Sequence, residues 1–162
     1  MHVMNANVDA IESISFPIAI VVSLFNRDIT AKLQHGTIQR LAECGFVSND
    51  IMLMEVPGAI EIPITINQIA CTRWPHVIIA LGAIIRGETS HYDVVCQQVS
   101  YGCQHVALTH NIPVIFGILT TENEIQATAR VDGMHGHKGR EVVDCAIHMY
   151  KVQHKIAAWN ST

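Results

Sequence analysis

The stretch Ala80–Asp93, ALGAIIRGETSHYD, joins an apolar run to residues that can seat an anion and move a proton. Val77–Ile85 is short, unbroken and rich in β-branched residues, which reads as a buried strand. Arg86-Gly87-Glu88-Thr89-Ser90-His91 follows at once and reads as a loop and a helix start. Gly87 lets the backbone approach a ligand closely. Thr89 or Ser90 is placed to cap the helix that begins near His91. Free N–H groups and the positive end of a helix dipole favour a phosphate there. The same dipole disfavours protonating His91, which suits it as a base. Arg86, at the strand end, is either a second ligand contact or a structural pairing partner.

Other candidates are spread along the chain. Val56-Pro57-Gly58-Ala59 ends a strand and opens a helix, and Glu61 falls in that helix's first turn. A carboxylate there either complements the dipole or accepts hydrogen bonds from a ligand. Phe25 and Asn26 follow the first strand, where a flat heterocycle would need a stacking surface. Arg130 precedes a Gly-rich loop and Lys138 follows it. Charges in such places are usually solvated, although a planar guanidinium fork also suits phosphate. His135-Gly136-His137 lacks a third ligand nearby, so metal binding is not expected. No Ser-His-Asp arrangement, P-loop or complete GxGxxG is present.

The elements that must position these residues alternate. Strands are expected at Pro17–Ser23, Asp50–Val56, Val77–Ile85 and Val114–Leu119. Helices are expected at Ile29–Cys44, Ala59–Cys71, Ser90–His110, Glu122–Ala129 and Lys138–Lys155. Inward stripes are Ile29, Leu33, Ile38 and Leu41 in the first helix and Ile60, Ile64, Ile66 and Ile69 in the second. In the third, the stripe runs through His91, Val94, Val95, Val99, Gly102 and Val106. Four β–α units with non-alternating apolar strands imply a parallel sheet covered on both faces. Right-handed crossovers then give a flavodoxin-like three-layer α/β/α sandwich around a four-stranded parallel sheet. Active sites in such sheets lie at the carboxyl ends of the strands.

With 162 residues and no linker, repeat or low-complexity segment, the chain reads as one domain, residues 1–162. Apolar residues make up 49% and charged residues only 15%, against about 25% in an ordinary soluble domain. A monomer so poor in charge would show much apolar surface, which points to a homo-oligomer. A net charge of −4, no basic run and 6% aromatics argue against nucleic acid. No apolar stretch reaches membrane-span length and the N-terminal residues form no signal core, so a cytoplasmic protein is expected. The five cysteines (Cys44, Cys71, Cys96, Cys103, Cys145) form no CxxC pair and read as buried free thiols in a reducing compartment.

Three ordered segments carry a family resemblance: Val56–Pro63 (VPGAIEIP), Ala80–Asp93, and Pro113–Thr121 (PVIFGILTT). A looser match is Val22–Asn26 with Ile29-Thr30 behind it. Together they resemble the lumazine synthase family of riboflavin biosynthesis, from about Ile18 to about Tyr150. Asp132, Met134 and His137 depart from the family's commoner loop wording, and Leu24 stands where Arg is frequent.

The resemblance implies condensation of 5-amino-6-(D-ribitylamino)uracil with 3,4-dihydroxy-2-butanone 4-phosphate, with no metal and no cofactor. It makes His91 the acid/base. Gly87, Glu88, Thr89 and Arg130 hold the phosphate, the loop mainly through backbone N–H groups, with the Glu88 carboxylate turned away. Phe25, Asn26, Gly58, Ala59, Ile60, Glu61, Ala83, Ile84, Ile85, Phe116 and Lys138 bind the ribitylaminouracil. Glu61 takes the ribityl hydroxyls, Phe25 covers the ring, and Phe116 and Arg130 act across a subunit interface. The resemblance also implies pentamers, which pair or close into shells, and an N-terminal segment (residues 1–16, chiefly Asn7–Ser13) that extends a neighbour's sheet. A flavin- or lumazine-binding protein on the same scaffold would keep Phe25 and Glu61 but need no phosphate site. The other alternative is a mainly structural shell protein, although a shell could still be an active enzyme.

Overall fold

The computed structural model describes residues 14–159. The N-terminal segment expected to reach a neighbouring subunit lies almost wholly outside the described residues. Four strands, β1 (Ile18–Ser23), β2 (Ile51–Val56), β3 (Val77–Ile85) and β4 (Val114–Thr121), form one parallel sheet in the order β2-β1-β3-β4. The helices are α1 (Arg27–Glu43), α2 (Ile62–Cys71), α3 (His91–His110), α4 (Glu124–Ala129) and α5 (Lys138–Trp159). Short 3-10 turns, Ser48–Asp50 and Ala59–Glu61, precede β2 and α2. This is the expected three-layer α/β/α architecture.

Successive strand residues point to opposite faces, so each apolar run feeds two cores. Ile18, Ile20 and Val22 of β1 and Val77, Ile79 and Leu81 of β3 pack with Ile29, Leu33 and Leu41 of α1 and Val142, Val143 and Ile147 of α5. Ala19 and Val21, with Ile78 and Ala80, pack with Ile62, Ile66 and Ile69 of α2 and Val99, Cys103 and Val106 of α3. The β1 and β3 side chains are nearly all fully buried, which explains why these strands lack polar alternation. α1 stops where Gly45 takes a φ of +92°, and Phe46 N–H donates to Leu41 O at 3.0 Å.

Three helix faces differ from expectation. Ile60 and Ile64 are exposed, not inward. The chain at Ala59–Glu61 is a tighter 3-10 turn and α2 starts only at Ile62, so its buried phase is Ile62, Ile66, Ile69 and Ala70. In α3 the buried residues are Val99, Cys103 and Val106, while Val94 is exposed because the first turn stands at the sheet's end. Ile38 of α1 is only partly buried. Cys71 and Cys145 are exposed and Cys96 is half-buried, so only Cys44 and Cys103 fit the reading of buried thiols. Burial pushes the Cys103 thiol up to about 12, which leaves it unreactive.

β4 packs closely on its neighbours at Gly117. A Cβ there would lie 2.8 Å from Leu81 Cδ2, 2.9 Å from Val142 Cγ1 and 3.0 Å from the Ala80 carbonyl oxygen. The last atom is backbone and cannot swing aside. Gly117→Ala is expected to cost about 1–3 kcal/mol of stability, as overpacked cores do, read as a lower denaturant midpoint with an unchanged slope.

Candidate active site

In a parallel sheet all four carboxyl ends share one edge, and the order β2-β1-β3-β4 reverses direction between β1 and β3. That reversal opens a crevice, the usual ligand site of such sheets. A cavity of about 390 Å³ occupies it.

Three loops form its walls. Leu24 N–H donates to Val56 O at 2.8 Å and Phe25 N–H to Pro57 O at 3.0 Å, which ties the β1 loop to the β2 loop. Asn26 takes the left-handed conformation (φ 57°), one that Asn tolerates, and its O accepts the N–H groups of Ile29 and Thr30 to start α1. The Asn26 side-chain amide donates to Ala83 O at 2.9 Å, so it cross-links β1 to β3. Phe25, thus held, leaves 70% of its surface open at the cavity wall.

The second wall is Gly58-Ala59-Ile60-Glu61. A Cβ on Gly58 would stand 3.0 Å from a Glu61 carboxylate oxygen, so glycine lets that carboxylate fold back over the turn. Among the described residues the Glu61 carboxylate has no hydrogen-bond or ion-pair partner. It is half-buried and faces the cavity, free to accept.

The third wall is the end of β3 (Ala83, Ile84, Ile85), Gly87 and Thr89 of the loop, and His91 at the first position of α3. Of the two expected caps, Thr89 or Ser90, it is Thr89 whose Oγ1 accepts His91 N–H at 3.3 Å, while the Ser90 side chain makes no cap bond. Among the described residues, the N–H groups of Gly87, Glu88, Thr89 and Ser90 have no protein acceptor, and a Cβ on Gly87 would meet nothing within 4 Å. The loop thus offers donors at a helix N-terminus. Glu88 does not line the cavity.

Arg86 is a pairing partner. Its guanidinium donates to both oxygens of Asp93 at 3.1 and 3.0 Å, and Nε donates to Glu122 at 2.7 Å. It also stacks 4.2 Å from the Tyr92 ring centroid. Asp93 first, then Glu122, raise its pKa further still. The clamp joins the β3 loop, α3 and the end of β4. Tyr92 and Val95 also line the cavity, a role the sequence reading does not assign to either. Their spacing from His91 along α3, one and four residues on, was the available signal.

Phe116, Arg130 and Lys138 do not line this cavity. Phe116 sits on the edge strand β4, 40% exposed, and shares with Lys138 a separate concavity of about 380 Å³ beside Cys145. Lys138 is ion-paired with Glu141 at 2.9 Å. Arg130 is exposed, with no carboxylate partner among the described residues. Among the described residues no group of three His, Cys, Asp or Glu could hold a metal ion, and no helix is long and apolar enough to cross a membrane.

Comparison with known proteins bears on this arrangement. The pattern of the family described as 6,7-dimethyl-8-ribityllumazine synthase matches residues 15–154. The chain is also similar to the 6,7-dimethyl-8-ribityllumazine synthases of Coxiella burnetii strains CbuG_Q212 and RSA 493 / Nine Mile phase I. It is 50% identical to each over 142 residues, 88% of this chain and 94% of the relative. The cavity at the sheet's reversal, the family pattern across nearly the whole chain and half-identity to full-length relatives agree: the chain belongs to the 6,7-dimethyl-8-ribityllumazine synthase family.

Proposed function

We propose that this protein condenses 5-amino-6-(D-ribitylamino)uracil with 3,4-dihydroxy-2-butanone 4-phosphate to give 6,7-dimethyl-8-ribityllumazine, phosphate and water, the penultimate step of riboflavin biosynthesis. The observation that carries the reading is one cavity walled by an open aromatic face, an unpaired carboxylate, a row of free N–H donors and an imidazole. Phe25 stacks on the pyrimidine, and Asn26, Ala83, Ile84 and Ile85 line its edge. Glu61, in the turn Gly58–Glu61, accepts from the ribityl hydroxyls. Gly87, Glu88 and Thr89 hold the phosphate through their N–H groups.

The arylamine attacks the ketone and water leaves as the imine forms. Phosphate is then eliminated, the enol tautomerises, and the ribitylamino nitrogen closes the second ring with loss of water. His91 relays protons in these steps. The donors around the phosphate stabilise it as it departs. Much of the acceleration comes from holding two reactants together.

Arg130, Lys138 and Phe116 belong in this reading to the cavity of an adjacent subunit. Support comes from their absence from their own chain's cavity and from the many large apolar side chains left open, Leu24, Leu53, Met54, Ile64, Leu108 and Ile125 among them. β2 is an edge strand, which suits the addition of a neighbour's N-terminal segment. The assembly is a pentamer or a multiple of it, each subunit one domain, located in the cytoplasm, where its five free thiols suit a reducing milieu. Light scattering is expected to give the mass of five chains or a multiple; a monomer would remove the interface site. The activity is tested by following both products: lumazine and phosphate are expected in equal amounts, and only when both substrates are present.

A further inference from the structure

The motif left unused is His135-Gly136-His137. It closes the loop 130–138, whose ends carry Arg130 and Lys138. Lys138 N–H donates to Arg130 O at 2.8 Å, and so draws the two ends together. Residues 132–136 are exposed, whereas Val131 at one end is buried and His137 at the other is half-buried.

The two imidazoles have different surroundings. His135 stands in solvent. The His137 ring packs against α1 at Gly36, so close that a Cβ on Gly36 would overlap its Cε1 edge. One residue beyond Lys138, Gly139 packs on the Leu33 carbonyl, and its own oxygen accepts the Thr37 hydroxyl at 2.8 Å. Leu33, Gly36 and Thr37 therefore form a slot on one face of α1 that receives the start of α5. His137 is also the residue on which α5 begins: its O accepts the N–H groups of Arg140 at 2.9 Å and Glu141 at 3.1 Å. Among the described residues its Nδ1 is buried without a hydrogen-bond partner. A bare buried nitrogen is a cost, so fit in the slot, not polar bonding at that atom, holds the ring.

We propose that His137 is a positioning residue: seated in the Gly36 slot, it fixes where α5 begins and thereby where Lys138 and Arg130 are presented. This rests on the reading of Arg130 as a phosphate contact. Displacement by a fraction of a side chain is enough to matter, because positioning groups misplaced by about 1 Å lose up to ~10²-fold in rate or affinity.

The contact has two sides and each can be removed alone. His137→Ala empties the slot. Gly36→Ala fills it, although alanine in mid-helix would otherwise favour α1. Each is expected to raise the Michaelis constant for the phosphorylated ketone about tenfold, with a much smaller change in turnover, and the double variant is expected to be no worse than the worse single. A contact that merely holds the fold together would lower the melting temperature and leave the Michaelis constant alone. Arg130→Ala is the companion control. If it raises that constant while both single variants leave it unchanged, the role of His137 is wrong and that of Arg130 stands. If Arg130→Ala itself changes nothing, the phosphate reading fails and this inference falls with it. Should one single variant fail to fold, the other reads the same constant from the opposite side.

Discussion

Replacing Arg130 with alanine is expected to raise the Michaelis constant for 3,4-dihydroxy-2-butanone 4-phosphate by about 10- to 100-fold. That is the cost of one hydrogen-bonded charge contact, about 1.5–3 kcal/mol. The constant for the ribitylaminouracil should stay near its starting value. Arg86 is spent on Asp93 and Glu122, and Lys138 on Glu141. Arg130 has no carboxylate partner among the described residues, so its fork is free for a dianion. Arg130→Lys should restore only part of the loss, because an ammonium keeps the charge but not the two parallel donors. Since no buried contact is lost, the melting temperature should hardly move. An unchanged Michaelis constant in Arg130→Ala would rule out the phosphate contact.

Replacing His91 with alanine is expected to lower turnover about 10- to 100-fold while leaving both Michaelis constants near their starting values. General acid–base catalysis contributes about 10²–10⁴-fold in typical enzymes. The lower end applies here because both reactants remain held by Phe25, Glu61 and the Gly87–Thr89 loop, and positioning persists without the imidazole. The side chain is exposed, and its backbone N–H, not its ring, bonds Thr89. Alanine is also a good helix former at the start of α3. Loss of activity through unfolding is therefore not expected, and the circular dichroism melt should match the parent's. Full activity in His91→Ala would remove His91 from the chemistry.

These two residues also show what could be read from the sequence. His91 was legible because its signal is local: an apolar run, a glycine and a helix start within fifteen residues fix where the imidazole must stand. The same holds for β3 and for β1 up to Ser23, which are apolar throughout; β2, with Met and Glu, and β4, with Phe, Gly and Thr, are more mixed, but every strand has a proline within two residues of one end. Helix phase was less legible. A single helix from Ala59 would turn Ile60 and Ile64 inward, whereas the 3-10 turn before Pro63 resets the phase to Ile62. The role of Arg86 depended on Glu122, 36 residues away in the chain, and no local pattern carries that pairing. Tyr92 is silent in the sequence for a related reason: its place in the cavity wall follows from how α3 lies across β3 and β4. Phe116, Arg130 and Lys138 are a different case. A sequence names them only through resemblance, and one chain's cavity does not contain them, because completing the site takes a second subunit in the reading proposed here.

This cavity is expected to make a lumazine. The most direct measurement is the initial rate of 6,7-dimethyl-8-ribityllumazine formation, by absorbance, when the purified protein meets both substrates, set against the same mixture without protein. A rate well above that blank, saturating in each substrate, is the predicted result. A rate equal to the blank, from protein that is folded and binds a lumazine or flavin, would contradict it and leave a binding protein on the same scaffold.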